Sequence, residues 1–163
     1  MSAVIDWFGW KHYKYKQYYN NIKVEDSQFI IHSKQNDLPI SANGERLYNI
    51  EINTSTNISY SQAIDFALNY ANASQYYWQD STRENSLKEL TNNPDTSYYP
   101  SAELVIINTN ATQKKLSPKY HLTYKVPIYS YIPFDSYYLF IDANTGGIIT
   151  KRQILKTCFN SSK

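Results

Sequence analysis

The chain has 163 residues, a net charge of +2 and 42% hydrophobic residues with only four glycines, which excludes disordered and fibrous classes. That length suits one domain or two small ones, and the small charge argues against a nucleic-acid partner, which needs a concentrated basic face. Tyrosine stands out with 17 copies, the signature of sheet faces whose rings rest on a core while their hydroxyls reach water.

In chain order, VIDWF at 4–8 is a short apolar strand, and Gly9 interrupts it. KHYKYKQYY at 11–19 alternates, with Tyr13, Tyr15, Gln17 and Tyr19 on one face and His12, Lys14, Lys16 and Tyr18 on the other. Single-strand or RNA binding by this stretch is disfavoured, because stacking platforms need more basic surroundings. Asn20-Asn21 supplies a turn, since Asn tolerates left-handed backbone, and IKVEDSQFIIH at 22–32 returns as the hairpin partner. Asn43-Gly44 is a further turn signal, and LYNIEI at 47–52 alternates as a strand.

Ser59-Tyr60-Ser61-Gln62 fits a capping box and opens the clearest helix, expected to end near Asn72. Its stripe is Ala63, Ile64, Ala67, Leu68 and Ala71, with Phe66 and Tyr70 at the edge. A shorter helix is predicted over 83–90. Strands follow in AELVIIN, YHLTYKVPIYSY (edge or bulged at Pro127) and YYLFIDA, then NTGG and IITK. FIDANTGGIIT at 140–150 could be a cation loop or a phosphate cradle. It lacks the distal Glu of a calcium loop, and a β-branched run follows the glycines where a cradle needs a helix. It reads as a hairpin, with Asp142 supporting the turn. The element order is α+β with antiparallel pairing.

HYKYKQYYNNIKVEDSQFIIH followed by SANGE resembles the fungalysin/thermolysin propeptide motif, with His12, Gln17, Val24, Ile31, His32, Asn43 and Gly44 in the corresponding places. The turn reads Asn21-Ile22-Lys23-Val24 where that motif usually has Gly-Ile-Pro-Val. ISYSQAIDFALNYA, SYYPSAELVIIN, YHLTYKVPIYS and YYLFIDANTGGII resemble a PepSY domain in order and spacing. The resemblance implies antiparallel sheets packed on one main helix, a cystatin-like module over 54–155 preceded by a partial β-module over 1–53, with a tail at 156–163. It implies the non-catalytic pro-region of a secreted thermolysin-like zinc metallopeptidase, acting as intramolecular chaperone and inhibitor. The partner is then the peptidase catalytic domain, in cis or in trans. The location is secreted or extracellular, the signal peptide being absent from this chain. The alternative is a stand-alone secreted module that inhibits peptidases or binds at a cell surface.

No catalytic constellation is expected. A zinc peptidase needs two His four apart on a helix with Glu between, and His12, His32 and His121 make no such pair. There is no Gly-x-Ser-x-Gly elbow, and Cys158 cannot make an internal disulfide. His12 and His32 fall on partner strands, yet a two-His metal site wants a third ligand that nothing evidently supplies, so hydrogen bonding to neighbours is the expectation. No cofactor, metal, nucleic acid or membrane span is expected. The candidate peptidase interface comprises Tyr98, Tyr99, Pro100, Tyr129, Tyr131 and Phe134, since tyrosine clusters favour interfaces, the alternative being that these tyrosines cover the sheet's own core.

Overall fold

The computed structural model describes residues 2–34, 38–111 and 117–154; the tail with Cys158 lies outside them. Nine strands form among these residues: β1 (Ser2–Ile5), β2 (Lys11–Tyr19), β3 (Ile22–Ser33), β4 (Pro39–Gly44), β5 (Gln75–Tyr76), β6 (Glu103–Asn108), β7 (Tyr120–Ile132), β8 (Asp135–Asp142) and β9 (Ile148–Gln153). Two α-helices accompany them, α1 (Tyr60–Ala71) and α2 (Ser81–Thr91). The strands join one mixed sheet in the order β1-β2-β3-β6-β7-β8-β9, with β4 on β3 and β5 on β7.

This corrects the expected fold of antiparallel sheets packed on one main helix in a cystatin-like arrangement. The pairing that decides it is parallel: β6 lies beside β3, with Lys23 opposite Val105 and Val24 opposite Ile106. A parallel neighbour requires a long crossover, and residues 45–102 supply it. Alternation in a sequence shows which face of a strand is buried, not which strand lies beside it.

The contacts divide the chain into two compact units, Met1–Ser55 with Leu104–Leu122, and Thr56–Glu103 with Thr123–Lys163. In the first, β1 to β4 form an antiparallel meander in which His12 faces His32 across the β2–β3 pair. Asn20 and Asn21 both take positive φ and reverse the chain between these strands, as expected. Val24, Val105, Ile106 and Ile107 are the buried residues at the parallel pairing. Asn43 and Gly44 do not form a turn; they end β4 opposite Ile30 and Phe29. Gly44 is required there because a Cβ would lie 2.1 Å from the Gln28 carbonyl oxygen. Residues 47–52 are not a strand either. The Leu47 backbone is satisfied by a side chain instead, and Asn49 adopts φ +54, which breaks an extended run.

In the second unit, α1 starts with the capping box expected from its sequence: Ser59 Oγ accepts from Gln62 N while Gln62 Oε1 accepts from Ser59 N. Asn72 closes the helix in left-handed conformation. Ala63 and Ala67 are fully buried, and α1 packs on β8. Tyr124 of β7 ties the entry of the helix down by donating to the Ile58 carbonyl at 2.8 Å. The β7–β8 register runs through Pro127 opposite Tyr138 without a bulge. The stretch 140–150 is a hairpin: Ile141 pairs Ile148, and Asp142 Oδ1 accepts from Asn144 N and Thr145 N at 2.9 and 2.8 Å. Gly146 alone in that turn has positive φ.

Candidate functional site

The candidate interface residues come together in the second unit. The β7–β8 turn carries Tyr131, Ile132 and Phe134, which are 39%, 50% and 65% exposed. Ser130 fixes its shape by donating to the Pro133 carbonyl at 2.7 Å. The short β5 strand pairs with the end of β7, Gln75 opposite Ile132 and Tyr76 opposite Ser130, and so sets Tyr77 and Trp78 beside that turn. From the other side, Glu84 of α2 accepts from Tyr98 N at 2.8 Å and draws in the loop holding Tyr98, Tyr99 and Pro100.

Tyr77 is the centre of the assembly. Its ring lies 5.2 Å from Tyr98 and between 6.2 and 6.3 Å from Tyr129, Tyr131 and Phe134. Tyr98 and Tyr129 meet edge to face at 5.1 Å. A neighbouring row stacks Tyr76 on Trp78 and sets Trp78 against Tyr99. The Arg83 guanidinium lies 4.7 Å from the Tyr77 ring and 4.3 Å from that of Tyr131, a cation held against two aromatic faces. Asp80, the N-cap of α2, pairs with Arg83 Nε at 3.2 Å and holds it there.

Tyr99, Tyr131 and Phe134 thus present their rings to solvent, Tyr98 and Tyr129 stand half-buried behind them, and Pro100 is buried. Burial raises the Tyr129 phenol above its ordinary range, with Tyr138 and Tyr98 adding to the effect. Sequence reasoning missed Tyr77, Trp78 and Arg83. The signal was the aromatic triplet Tyr76-Tyr77-Trp78 just ahead of a helix N-cap, where aromatic side chains are fixed by the turn into the helix. Rigid rings around one guanidinium suit contact with another protein: they lose little conformational freedom when covered.

In the first unit, the residues that carry the motif resemblance each have a defined place. Gln17, at the β2 bulge, accepts from Leu47 N at 3.0 Å and donates to Leu47 O at 2.8 Å. Ser27 Oγ donates to the same Gln17 oxygen at 2.6 Å and lies 2.9 Å from the Glu45 carbonyl, locking residues 45–47 onto the hairpin. Val24 is core. His12 and His32 approach with their Nδ1 atoms 2.6 Å apart, and Asn43 Oδ1 lies 3.3 Å from His32 Nε2.

Among the described residues, no cluster of three metal-ligating side chains forms and no helix is long and apolar enough to cross a membrane. Comparison with curated proteins gave no match. The family model of the Fungalysin/Thermolysin Propeptide Motif matches residues 2–45, so the β1–β4 meander carries a motif of peptidase propeptides rather than of a catalytic domain.

Proposed function

We propose that this chain is a non-catalytic pro-region that associates with the catalytic domain of a secreted thermolysin-like metallopeptidase, assisting its folding and blocking its cleft until removed. The observation that carries this reading is the propeptide-motif match at residues 2–45. The order of sequence segments after residue 54 supports reading 54–155 as PepSY-like, the module that accompanies the motif in such pro-regions. The aromatic surface of Tyr99, Tyr131 and Phe134, backed by Tyr98, Tyr129 and Arg83, supplies the contact face. The mechanism is binding linkage: a segment that prefers the folded enzyme stabilises it and covers what it binds.

The test is to add the purified chain to a thermolysin-like catalytic domain, once during refolding from urea and once to the active enzyme. A higher refolded yield together with saturable inhibition at micromolar concentration is expected. Neither effect with the peptidase encoded alongside it would overturn the reading. Translation of the gene beyond Lys163 separates the pro-region from a stand-alone module: a His-Glu-x-x-His segment downstream is expected.

A further inference from the structure

The hydrogen bonds around His12 and His32 favour one tautomer of each ring. Asp6, in the turn after β1, accepts from Phe8 N and Trp10 N at 2.9 Å through Oδ1, which holds the carboxylate rigid and aims Oδ2 at His12 Nε2, 3.2 Å away. A carboxylate is ionised at neutral pH and can only accept. His12 Nε2 is therefore the donor. Asn43 Oδ1 is an acceptor too, so His32 Nε2 also donates. In the tautomers with Nε2–H on both rings, the two Nδ1 atoms present lone pairs to one another at 2.6 Å. Two lone pairs at that separation repel unless a cation lies between them.

We propose that His12 and His32 form a bidentate site for a divalent late transition metal, bound through both Nδ1 atoms. The arrangement has what such a site requires beyond its ligands: each imidazole donates its remote N–H to a fixed acceptor, a carboxylate for His12 and an amide oxygen for His32, which sets ring orientation and raises ligand basicity. The β2–β3 register places the two residues directly opposite, so the strands hold the ligands in place before metal arrives. His12 and Asp6 are reachable from solvent, with side chains 24% and 34% exposed. Tetrahedral coordination at ordinary metal–imidazole lengths needs the nitrogens about 3.3 Å apart, so the two Nδ1 atoms separate from their 2.6 Å spacing as metal enters. The chain gives two ligands, and water completes the shell. Imidazole-only ligation favours Cu²⁺ over Ni²⁺ and Zn²⁺.

The experiment titrates the full chain with Cu²⁺, Ni²⁺ and Zn²⁺ chlorides by calorimetry and follows the histidine ring signals by NMR. Uptake of one equivalent is expected, tightest for Cu²⁺, with Cu²⁺ broadening His12 and His32 but not His121. His12→Ala and His32→Ala are each expected to weaken binding by about tenfold or more, and Asp6→Asn, which keeps both ligands, by about tenfold. Far-UV circular dichroism checks that each variant folds, and His121→Ala should leave uptake unchanged. No saturable uptake below about 1 mM, uptake that survives His32→Ala in a folded chain, or broadening centred on His121 would each overturn the proposal.

Discussion

Gly146 lies directly against the Phe66 ring: a Cβ at that position would sit 2.6 Å from Phe66 Cε2. The turn of the β8–β9 hairpin and the outer edge of α1 are therefore fitted to each other, and Gly146 is needed both for its φ of +76 and for its lack of a side chain. Gly146→Ala is expected to cost about 2 kcal/mol or more from strain and overlap together. Phe66→Leu should relieve only the overlap. A double-mutant cycle by urea unfolding checks this, and additive costs would show that the ring is not the obstacle.

Gln17 replaces a strand neighbour for Leu47. Gln17→Ala leaves the Leu47 N–H and C=O without their partner, and a loss of about 1–3 kcal/mol is expected. The Leu47 amide should exchange with deuterium much faster in this variant, while the amides of β7 and β8 keep their protection.

Ser59→Ala removes half of the capping box on α1 and is expected to destabilise the chain by about 1 kcal/mol. Ser59→Asp should retain most of the stability, because a carboxylate accepts the same Gln62 N–H. Thermal midpoints of the two variants compare the cap directly.

Burial, followed by the neighbouring charge of Asp135, pushes the Tyr137 phenol from 10.0 up to about 12. The folded state thus resists ionisation that the unfolded chain undergoes freely. The stability from this residue is complete below pH 10.0 and is lost as pH rises toward about 12. Tyr137→Phe should flatten that part of the decline, read as urea midpoints across the interval. An unchanged slope would assign the alkaline loss to other groups.

Phe134→Ser alters an exposed ring and is expected to leave the urea midpoint nearly unchanged, while Tyr131→Ser, which removes the ring against Arg83, lowers it modestly; each should weaken peptidase inhibition by about tenfold or more. Leu38→Ser, exposed at 68% in the first unit, is the control. Equal losses from all three would assign the effect to general surface apolarity.

Local features were legible because their causes are local. The Ser59–Gln62 box, the left-handed Asn20-Asn21 turn and the Asp142-braced hairpin each depend on residues within a few positions, and each formed as read. The His12–His32 and Gln17 positions were visible through the motif resemblance, though not the bonds they make. What the amino-acid sequence by itself determined was therefore the β2–β3 and β8–β9 hairpins, the two helices and the propeptide motif over the first strands. Tertiary structure alone decided that β6 runs parallel beside β3, that residues 47–52 bond to a side chain rather than to a strand, and that Tyr77 and Arg83 gather the aromatic surface. These outcomes depend on partners brought from far along the chain, and periodicity records which side of a strand is buried without recording what buries it.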